Sequence, residues 1–285
     1  MQNSLLTLGH GYTAQALAWR LVPRGWRVMG TIRSADKAPL LAAQGVVPVM
    51  WEAGAVREAL SSATHLLVSA GPASEGDPSL RLVKEAVEER ARELYWAGYL
   101  STTGVYGDHH GDWVDETTPL APTTARGEAR VAAEAEWGAI PGLPLHVFRL
   151  AGIYGPGRGP FAKVRNGTAR RIIKPGQVFS RIHVDDIAQV LHASIRRPNP
   201  GAVYNVCDDD PAPPQDVLAY AAQLLGLDAP PEVAFDEADL SPMARSFYAE
   251  NKRVSNARMK DELGVFLKYP DYRVGLRALR EAEGS

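Results

Sequence analysis

The fold is decided by residues 5–14, which read LLTLGHGYTA. A short apolar run ends in a glycine turn, and a segment with helical spacing of apolar residues follows directly. In this context Gly9 permits a tight turn, Gly11 lets the backbone approach a pyrophosphate, and Ala14 allows close packing of helix on strand. Tyr12 and Thr13 open the helix, whose N-terminus favours negative charge. The stretch predicts a dinucleotide site; the alternative is an ordinary strand-to-helix turn.

The residues after the second apolar run favour NADP(H) over NAD. An NAD-preferring site usually carries an acidic residue about 20 positions after the turn, where it binds the ribose 2′-hydroxyl. No acidic residue occurs between Gly9 and Asp36. Arg33 and the hydroxyls of Thr31 and Ser34 can instead bind a 2′-phosphate through charge-assisted hydrogen bonds. NADP(H) is therefore the expected cofactor, with NAD as the alternative; a solvated loop residue is the simpler interpretation of Arg33.

Short apolar runs alternate with segments of helical period, which is typical of a parallel sheet covered by helices. The predicted strands are residues 5–8, 27–31, 46–51, 65–69, 97–101 and 145–150. The predicted helices are a first one after the glycine turn and others near 36–44, 78–94, 127–138, 185–196, 214–225 and 272–281. We expect an α/β fold, a Rossmann-type doubly wound parallel sheet in residues 1–150. A smaller C-terminal substrate lobe is expected in 151–285, with a return to the first domain near 180–206.

The overall composition limits the kinds of molecule that the protein is expected to bind. The 285 residues include 31 basic and 33 acidic side chains, and this balance gives no overall field that recruits nucleic acid or an anionic membrane. There is one cysteine, Cys207, and neither a signal-peptide pattern nor an apolar run of about 18 residues. We expect a cytoplasmic protein with a small-molecule partner. Asp108, His109, His110 and Asp112 suggest a metal site, but a solvated loop is favoured there.

Four further segments are distinctive: residues 99–107 (YLSTTGVYG), 149–157 (RLAGIYGPG), 181–186 (RIHVDD) and 204–206 (YNV). In this order they resemble segments of the extended short-chain dehydrogenase/reductases, the epimerase/dehydratase family. The resemblance implies that Thr102 orients a substrate oxygen. It also implies that the backbone of Ala70, Gly71 and Pro72 passes the cofactor riboses, and that helices 78–94 and 127–138 can pair two subunits.

One more cofactor contact is predicted at the end of the third strand. Glu52 is placed to accept a hydrogen bond from the adenine amino group, although a plain surface carboxylate explains it equally well. Glu52 alone does not identify an adenine-binding site.

The chain departs from the family at the expected catalytic pair. The family's Tyr-x-x-x-Lys falls on Arg126 and Arg130, and a guanidinium cannot exchange protons near neutral pH. Arg126 can instead hold an anionic substrate or stabilise an oxyanion, and Arg130 can bind the nicotinamide ribose as the family lysine does. The alternative is a helix that kept its packing after losing its chemistry. Candidates to move the proton instead lie on loops at strand ends. They are Tyr106 and Tyr154 and, in the loop after the fifth strand, His109, His110, Asp115 and Glu116.

Basic residues follow the predicted sheet. Arg181 lies where the resemblance places a substrate phosphate, and Arg158 lies in the loop before it, so a phosphorylated or nucleotide-linked substrate is one expectation; a solvated basic face is the other. Two functions stay open. The first is an NADP-dependent oxidoreductase or epimerase of a small polar substrate, with Thr102 and Tyr106 acting on it. The second is a cofactor-binding sensor or regulatory module without catalysis.

Overall fold

The computed structural model describes residues 2–73 and 75–283. Its strands are β1 (Ser4–Leu8), β2 (Arg27–Ile32), β3 (Val46–Met50), β4 (His65–Val68), β5 (Trp96–Thr102), β6 (Trp113–Val114), β7 (Leu145–Leu150), β8 (Gly152–Tyr154), β9 (Arg171–Ile173), β10 (Arg181–His183), β11 (Val203–Val206), β12 (Glu232–Ala234) and β13 (Arg253–Val254). Its helices are α1 (Tyr12–Leu21), α2 (Ala38–Ala43), α3 (Ala53–Ser61), α4 (Pro78–Arg90), α5 (Ala125–Gly138), α6 (Phe161–Arg165), α7 (Val184–Arg196), α8 (Pro214–Leu225), α9 (Pro242–Tyr248), α10 (Ala257–Leu263) and α11 (Tyr272–Glu283).

Over the described residues, seven parallel strands form the central sheet in the order β11-β7-β5-β4-β1-β2-β3. The order reverses at β1, so β1 and β4 begin the two halves of a doubly wound sheet. Their carboxyl ends lie on one edge, where open α/β sheets bind ligands. This confirms the expected Rossmann-type α/β fold.

Two buried clusters hold helices to opposite faces of the sheet. On one face α1 and α7 pack together, with Leu17 and Ile187 fully buried. On the other, α3, α4 and α5 bury residues such as Leu60, Val87 and Trp137. Because both faces are covered, the central strands are apolar on both sides, which explains the uninterrupted apolar runs in the sequence.

The predicted elements agree with the observed ones to within two residues at most ends, and α3 is a helix that sequence analysis missed. Its sequence AGAVREALS is short, and the glycine in its first turn has a low helix propensity.

The second half of the chain does not form one separate block. Residues 184–206 return to the central sheet as α7 and the edge strand β11, which pairs with β7. The short pairs β8 with β10, β9 with β12 and β6 with β13 lie outside the central sheet. Helices α6, α8 and α11 enclose a further buried cluster. The division at residue 150 stays a prediction.

Within the described ranges, no helix has the length and apolar character needed to cross a membrane. The same residues contain no group of three or more histidine, cysteine or acidic side chains that could hold a metal ion.

Candidate functional site

The glycine turn between β1 and α1 has the shape that a dinucleotide pyrophosphate requires. Gly9 has φ +87°, and a Cβ added there would lie 2.7 Å from the backbone nitrogen of Ala70. Gly11 is the N-cap of α1, and a Cβ added there would meet nothing within 4 Å. Gly9 is therefore required by the fold itself, whereas Gly11 leaves open space above the helix N-terminus. Thr13 and Ala14 are buried beneath that space.

Thr31 supports this turn from behind. Its buried hydroxyl donates to the carbonyl oxygen of Thr7 at 3.0 Å and accepts from the N–H of Gly9 at 2.7 Å. The predicted 2′-phosphate contact of Thr31 is therefore wrong, because the hydroxyl proton is already donated inside the fold. Thr31 fixes Gly9 instead, which is a role that the apolar pattern of β2 does not reveal.

Arg33 and Ser34 lie exposed just past the end of β2. The guanidinium carbon of Arg33 is 5.6 Å from the centroid of the Trp51 ring, a distance at which a cation and an aromatic face attract each other. Ser34 donates a hydrogen bond to Asp36. Arg33 is thus held at the edge of the sheet with its charge accessible, and Glu52 is exposed at the start of α3.

His10 is the buried titratable group of the turn. Its Nδ1 and the Thr7 hydroxyl are 2.8 Å apart, and its Nε2 is buried without a hydrogen-bond partner. Burial lowers the pKa of His10 from 6.5 to about 4, because a charged imidazolium would lose its hydration. The ring is therefore neutral at physiological pH.

Acid should destabilise the protein through this histidine. The folded-state pKa lies below the unfolded one, so the contribution is present above pH 6.5 and is lost as the pH falls to about 4. Between pH 7 and pH 5 the loss should be about 2 kcal/mol. Urea unfolding at both pH values checks this, with His10→Asn as the comparison. An equal pH dependence in both proteins would contradict the assignment.

The segment after β4 approaches the turn closely. The N–H groups of Ser69 and Ala70 both donate to the carbonyl oxygen of Leu8, at 2.8 and 2.9 Å. A Cβ added to Gly71 would lie 2.7 Å from Nη2 of Arg130. Pro72 follows, half-buried. The small residues thus let backbone and the Arg130 guanidinium meet beside the turn, as the predicted ribose contacts require.

A cavity of about 790 Å³ opens at the carboxyl ends of β1, β5 and β7. Of the residues predicted for the site, those that line it are Gly11, Tyr12, Thr13, Thr102, Arg126, Arg130, Tyr154, Arg158 and Arg181. The far wall comes from the second half of the chain. It includes Phe179, Phe247, Tyr248, Glu250 and Lys252. The cavity therefore joins the glycine turn to a second group of polar and aromatic side chains.

Thr102 and the two α5 arginines lie on one wall of this cavity. Thr102 accepts a hydrogen bond from the N–H of Gly104 at 3.2 Å, so its own proton can be donated to a ligand. The guanidinium carbon of Arg126 lies 4.6 Å from the centroid of the Phe247 ring. Arg130 points back toward the sheet, where it donates to the carbonyl oxygen of Leu100. Arg126 lies in the part of the cavity next to Phe247 of α9, which is the outer chamber. Arg130 lies at the inner end of the cavity, near Gly71.

The substrate-side residues Arg181 and Tyr154 lie on β10 and β8 and are held by backbone carbonyl groups of other segments. Arg181 donates to the carbonyl oxygens of Phe179 and Ala212 at 2.8 and 3.1 Å. Burial raises the pKa of the neighbouring Asp208 carboxyl to about 8, although Arg181 opposes that shift. Tyr154 donates weakly to the carbonyl oxygen of Asp271, at 3.5 Å, and burial raises its pKa well above the usual range.

Tyr12 and Arg158 connect the glycine turn to the loop after β8. The Tyr12 hydroxyl donates to the carbonyl oxygen of Pro156 at 2.9 Å. The guanidinium carbon of Arg158 lies 5.9 Å from the centroid of the Tyr12 ring. The two halves of the chain thus meet directly above the proposed pyrophosphate position.

Tyr106 lies away from the cavity, and its predicted part in proton transfer is therefore wrong. Its ring is fully buried. The hydroxyl donates to Oδ1 of Asn205 at 2.7 Å and accepts from Nη1 of Arg149 at 2.9 Å. Burial raises the pKa of this phenol. Arg149 also forms a buried ion pair with Glu134 at 2.8 Å, so Tyr106 belongs to a polar network beneath the site.

Three residues of the cavity lining, Phe247, Glu250 and Lys252, were not predicted from any sequence pattern. They lie in and after α9, more than a hundred residues beyond Thr102, and no local spacing connects them with the family motifs. A basic residue close to an acidic one is usually a solvated pair, so their sequence gave no usable signal.

The chain is similar to known proteins over most of its length. A model of the NAD dependent epimerase/dehydratase family matches residues 5–207. Protein YeeZ of Escherichia coli strain K12 is 29% identical over 281 residues, covering 93% of this chain and 95% of YeeZ. The 3-diazoavenalumate denitrifying reductase of a Streptomyces species is 27% identical, covering 93% of this chain and 96% of the reductase.

A solved structure from Silicibacter pomeroyi, described as a functionally unknown conserved protein, is 60% identical and covers 100% of both chains with a TM-score of 0.93. Because the family model spans most of the chain and the cavity adjoins an intact glycine turn, the cofactor class is a nicotinamide dinucleotide. The chain belongs to the NAD dependent epimerase/dehydratase family.

Proposed function

We propose that the protein is an NADP(H)-dependent oxidoreductase or epimerase of a small anionic substrate. One observation carries the proposal, namely the charge of the cavity that adjoins the glycine turn. Among the described residues that line it, five are cationic, and a single carboxylate belongs to Glu250. The cations are Arg126, Arg130, Arg158, Arg181 and Lys252. Cations gathered in a concave site attract phosphate or carboxylate groups and orient them.

The cofactor would lie along the carboxyl ends of the strands. Its pyrophosphate would meet the backbone of Gly11, Tyr12 and Thr13 at the N-terminus of α1. When bound, a nicotinamide dinucleotide supplies or removes a hydride. Arg130, beside Gly71, is placed to bind the ribose at the reacting end.

The substrate would lie in the outer chamber. Thr102 can donate its free proton to a substrate oxygen, and Arg126 can stabilise negative charge that develops on that oxygen. Arg158 and Arg181 can bind a phosphate or carboxylate at the far end. The name of the Streptomyces relative, a reductase, is consistent with hydride chemistry in this group.

Removing Arg33 should separate the two cofactors. We expect Arg33→Ala to weaken NADPH binding about tenfold or more, because a charge-assisted hydrogen bond to phosphate contributes about 1.5–3 kcal/mol. NADH binding should stay within about twofold, since NADH lacks the 2′-phosphate. Titration of each cofactor measures both values. Arg27→Ala, at the other end of β2, is the matched control. Equal weakening of both cofactors in Arg33→Ala would contradict the NADP(H) assignment.

The function is tested by purifying the full chain, releasing any bound dinucleotide for mass spectrometry, and following cofactor absorbance with oxo acids, sugar phosphates and nucleotide sugars. With an anionic member of this panel we expect oxidation of NADPH, reduction of NADP or, because an epimerase returns its cofactor unchanged, formation of an epimer resolved by chromatography. We expect none of these with its neutral analogue. Turnover of neutral carbonyl compounds alone would overturn the anionic-substrate proposal.

A cofactor-binding sensor is the second candidate. It is favoured by Arg126, which replaces the proton-exchanging tyrosine and rests on Phe247. Tight NADPH binding without turnover over the whole panel would support the sensor. A cytoplasmic location and pairing of two copies through α4 and α5 also stay predictions.

A further inference from the structure

The cavity needs a group that can exchange a proton, and the predicted candidates do not provide one. Arg126 and Arg130 keep their protons near neutral pH. Tyr106, whose hydroxyl is bonded to Asn205, lies outside the cavity lining. The same is true of His109, His110, Asp115 and Glu116. Tyr12 and Tyr154 donate to backbone carbonyl groups. Reduction of a carbonyl group nevertheless places negative charge on its oxygen, and that oxygen must be protonated.

Lys252 lines the same cavity as Thr102 and Arg126. Its side chain is buried, at 8% exposure. Nζ donates to the carbonyl oxygen of Gly107 at 2.6 Å and to Oε2 of Glu250 at 2.6 Å. An ammonium group has three protons, so these two bonds leave one for a ligand. Unlike a guanidinium, an amine can lose that proton and regain it.

Contacts of the residues before and after Lys252 in the chain fix its position. Oε1 of Glu250 accepts from the Thr123 hydroxyl at 2.8 Å, directly before α5 begins. The N–H of Asn251 donates to Asp108 at 2.7 Å, and β13 pairs with β6 immediately after Lys252. The ammonium is thus tied to the loop that follows Thr102 and to the start of the helix that carries Arg126. Those two elements hold the substrate oxygen in the proposed function.

We propose that Lys252 is the catalytic acid of this site, oriented by Glu250 and supplying the proton that the arginine at position 126 cannot. The step rests on the proposed function. When bound, the reduced cofactor would supply a hydride to the carbonyl carbon of the substrate and would itself be oxidised, while the carbon–oxygen π bond breaks. The oxygen takes a proton from the Lys252 ammonium and becomes a hydroxyl group. The neutral amine then recovers its proton from water, and the reverse reaction uses the same amine as base.

Two substitutions of Lys252 distinguish a role in proton transfer from a purely structural role. Lys252→Arg keeps the charge and hydrogen-bond donors but cannot release a proton. Lys252→Ala removes the amine and leaves room for a small one. Lys260→Arg is the matched control, because Lys260 lies on α10 in an ion pair with Asp209 and outside the cavity lining. The assay follows NADPH oxidation by glyoxylate, pyruvate and phenylglyoxylate, with NADPH affinity measured separately by fluorescence.

We expect Lys252→Arg to lower kcat by about 100-fold or more, which is the usual contribution of general acid catalysis, while KM and NADPH affinity change less than about threefold. Methylammonium should restore turnover to Lys252→Ala, an effect that a purely structural lysine would not show. Lys260→Arg should behave as wild type.

Results that contradict the role of Lys252 can be distinguished from results that contradict the proposed function. Turnover by wild type together with near-normal kcat in Lys252→Arg would overturn the assignment of the acid and leave the proposed function standing. Loss of NADPH binding in Lys252→Arg, or the absence of amine rescue in Lys252→Ala, would give Lys252 a structural role and overturn it too. No turnover by wild type with these three acids or with any other anionic member of the panel would refute the reduction step, and the role of Lys252 would fall with it.

Discussion

Gly11→Ala should reduce NADP(H) affinity by about 100-fold or more, equivalent to about 2.7 kcal/mol, and leave the protein folded. The residue has φ −93°, which alanine adopts without strain, and its added Cβ would meet no protein atom within 4 Å. The methyl group would instead enter the space that the pyrophosphate needs above the helix N-terminus. Cofactor titration measures the loss, and urea unfolding should give a stability within about 1 kcal/mol of wild type.

Gly9→Ala is the matched comparison, and unlike Gly11→Ala we expect it to lose stability as well as cofactor binding. Its Cβ would clash with the backbone of Ala70 at 2.7 Å, and φ +87° is strained for alanine. Such strain alone costs about 1–3 kcal/mol, so stability should fall together with cofactor binding. Undiminished NADPH affinity in Gly11→Ala would contradict placement of the pyrophosphate on this turn.

The sheet could be predicted because its signals are local. Each buried strand is an apolar run bounded by turn residues, and α1 repeats its apolar residues at spacings of three and four. The glycine turn lies directly between its strand and its helix in the sequence, so one short stretch predicts all three. By contrast, α3 was missed because it is short and the glycine in its first turn has a low helix propensity.

The site could be predicted only in part, because side-chain direction and distant contacts leave no local signal. Thr31 stands next to the predicted phosphate site in sequence, yet alternation along β2 points its hydroxyl inward to Thr7. Tyr106 follows a strand end, but the short helical turn after Thr102 directs it into the core. Lys252 reaches Gly107 across 145 positions of sequence, a contact that only the folded chain establishes.

Removal of the Glu134 carboxylate should cause the largest loss of stability. Glu134 on α5 accepts from Arg149 on β7, at 2.8 Å, and from Ser101 on β5, and the ion pair is almost completely buried. Glu134→Ala would leave the Arg149 guanidinium buried without its counter-charge, which typically costs about 3–5 kcal/mol. Urea unfolding measures the effect. Glu89→Ala is the matched control, because its pair with Arg57 is exposed and should contribute less than about 1 kcal/mol.

Replacing both Glu134 and Arg149 tests whether the unpaired buried charge causes the loss of stability. In Glu134→Leu combined with Arg149→Met no unpaired charge remains, so most of the lost stability should return. Turnover should not return with it, because Glu134 holds α5 against β5 and thereby sets Arg126 and Arg130 on the same cavity wall as Thr102. A double variant that recovers both stability and activity would show that packing alone positions these groups. A Glu134→Ala variant as stable as wild type would contradict the ion pair itself.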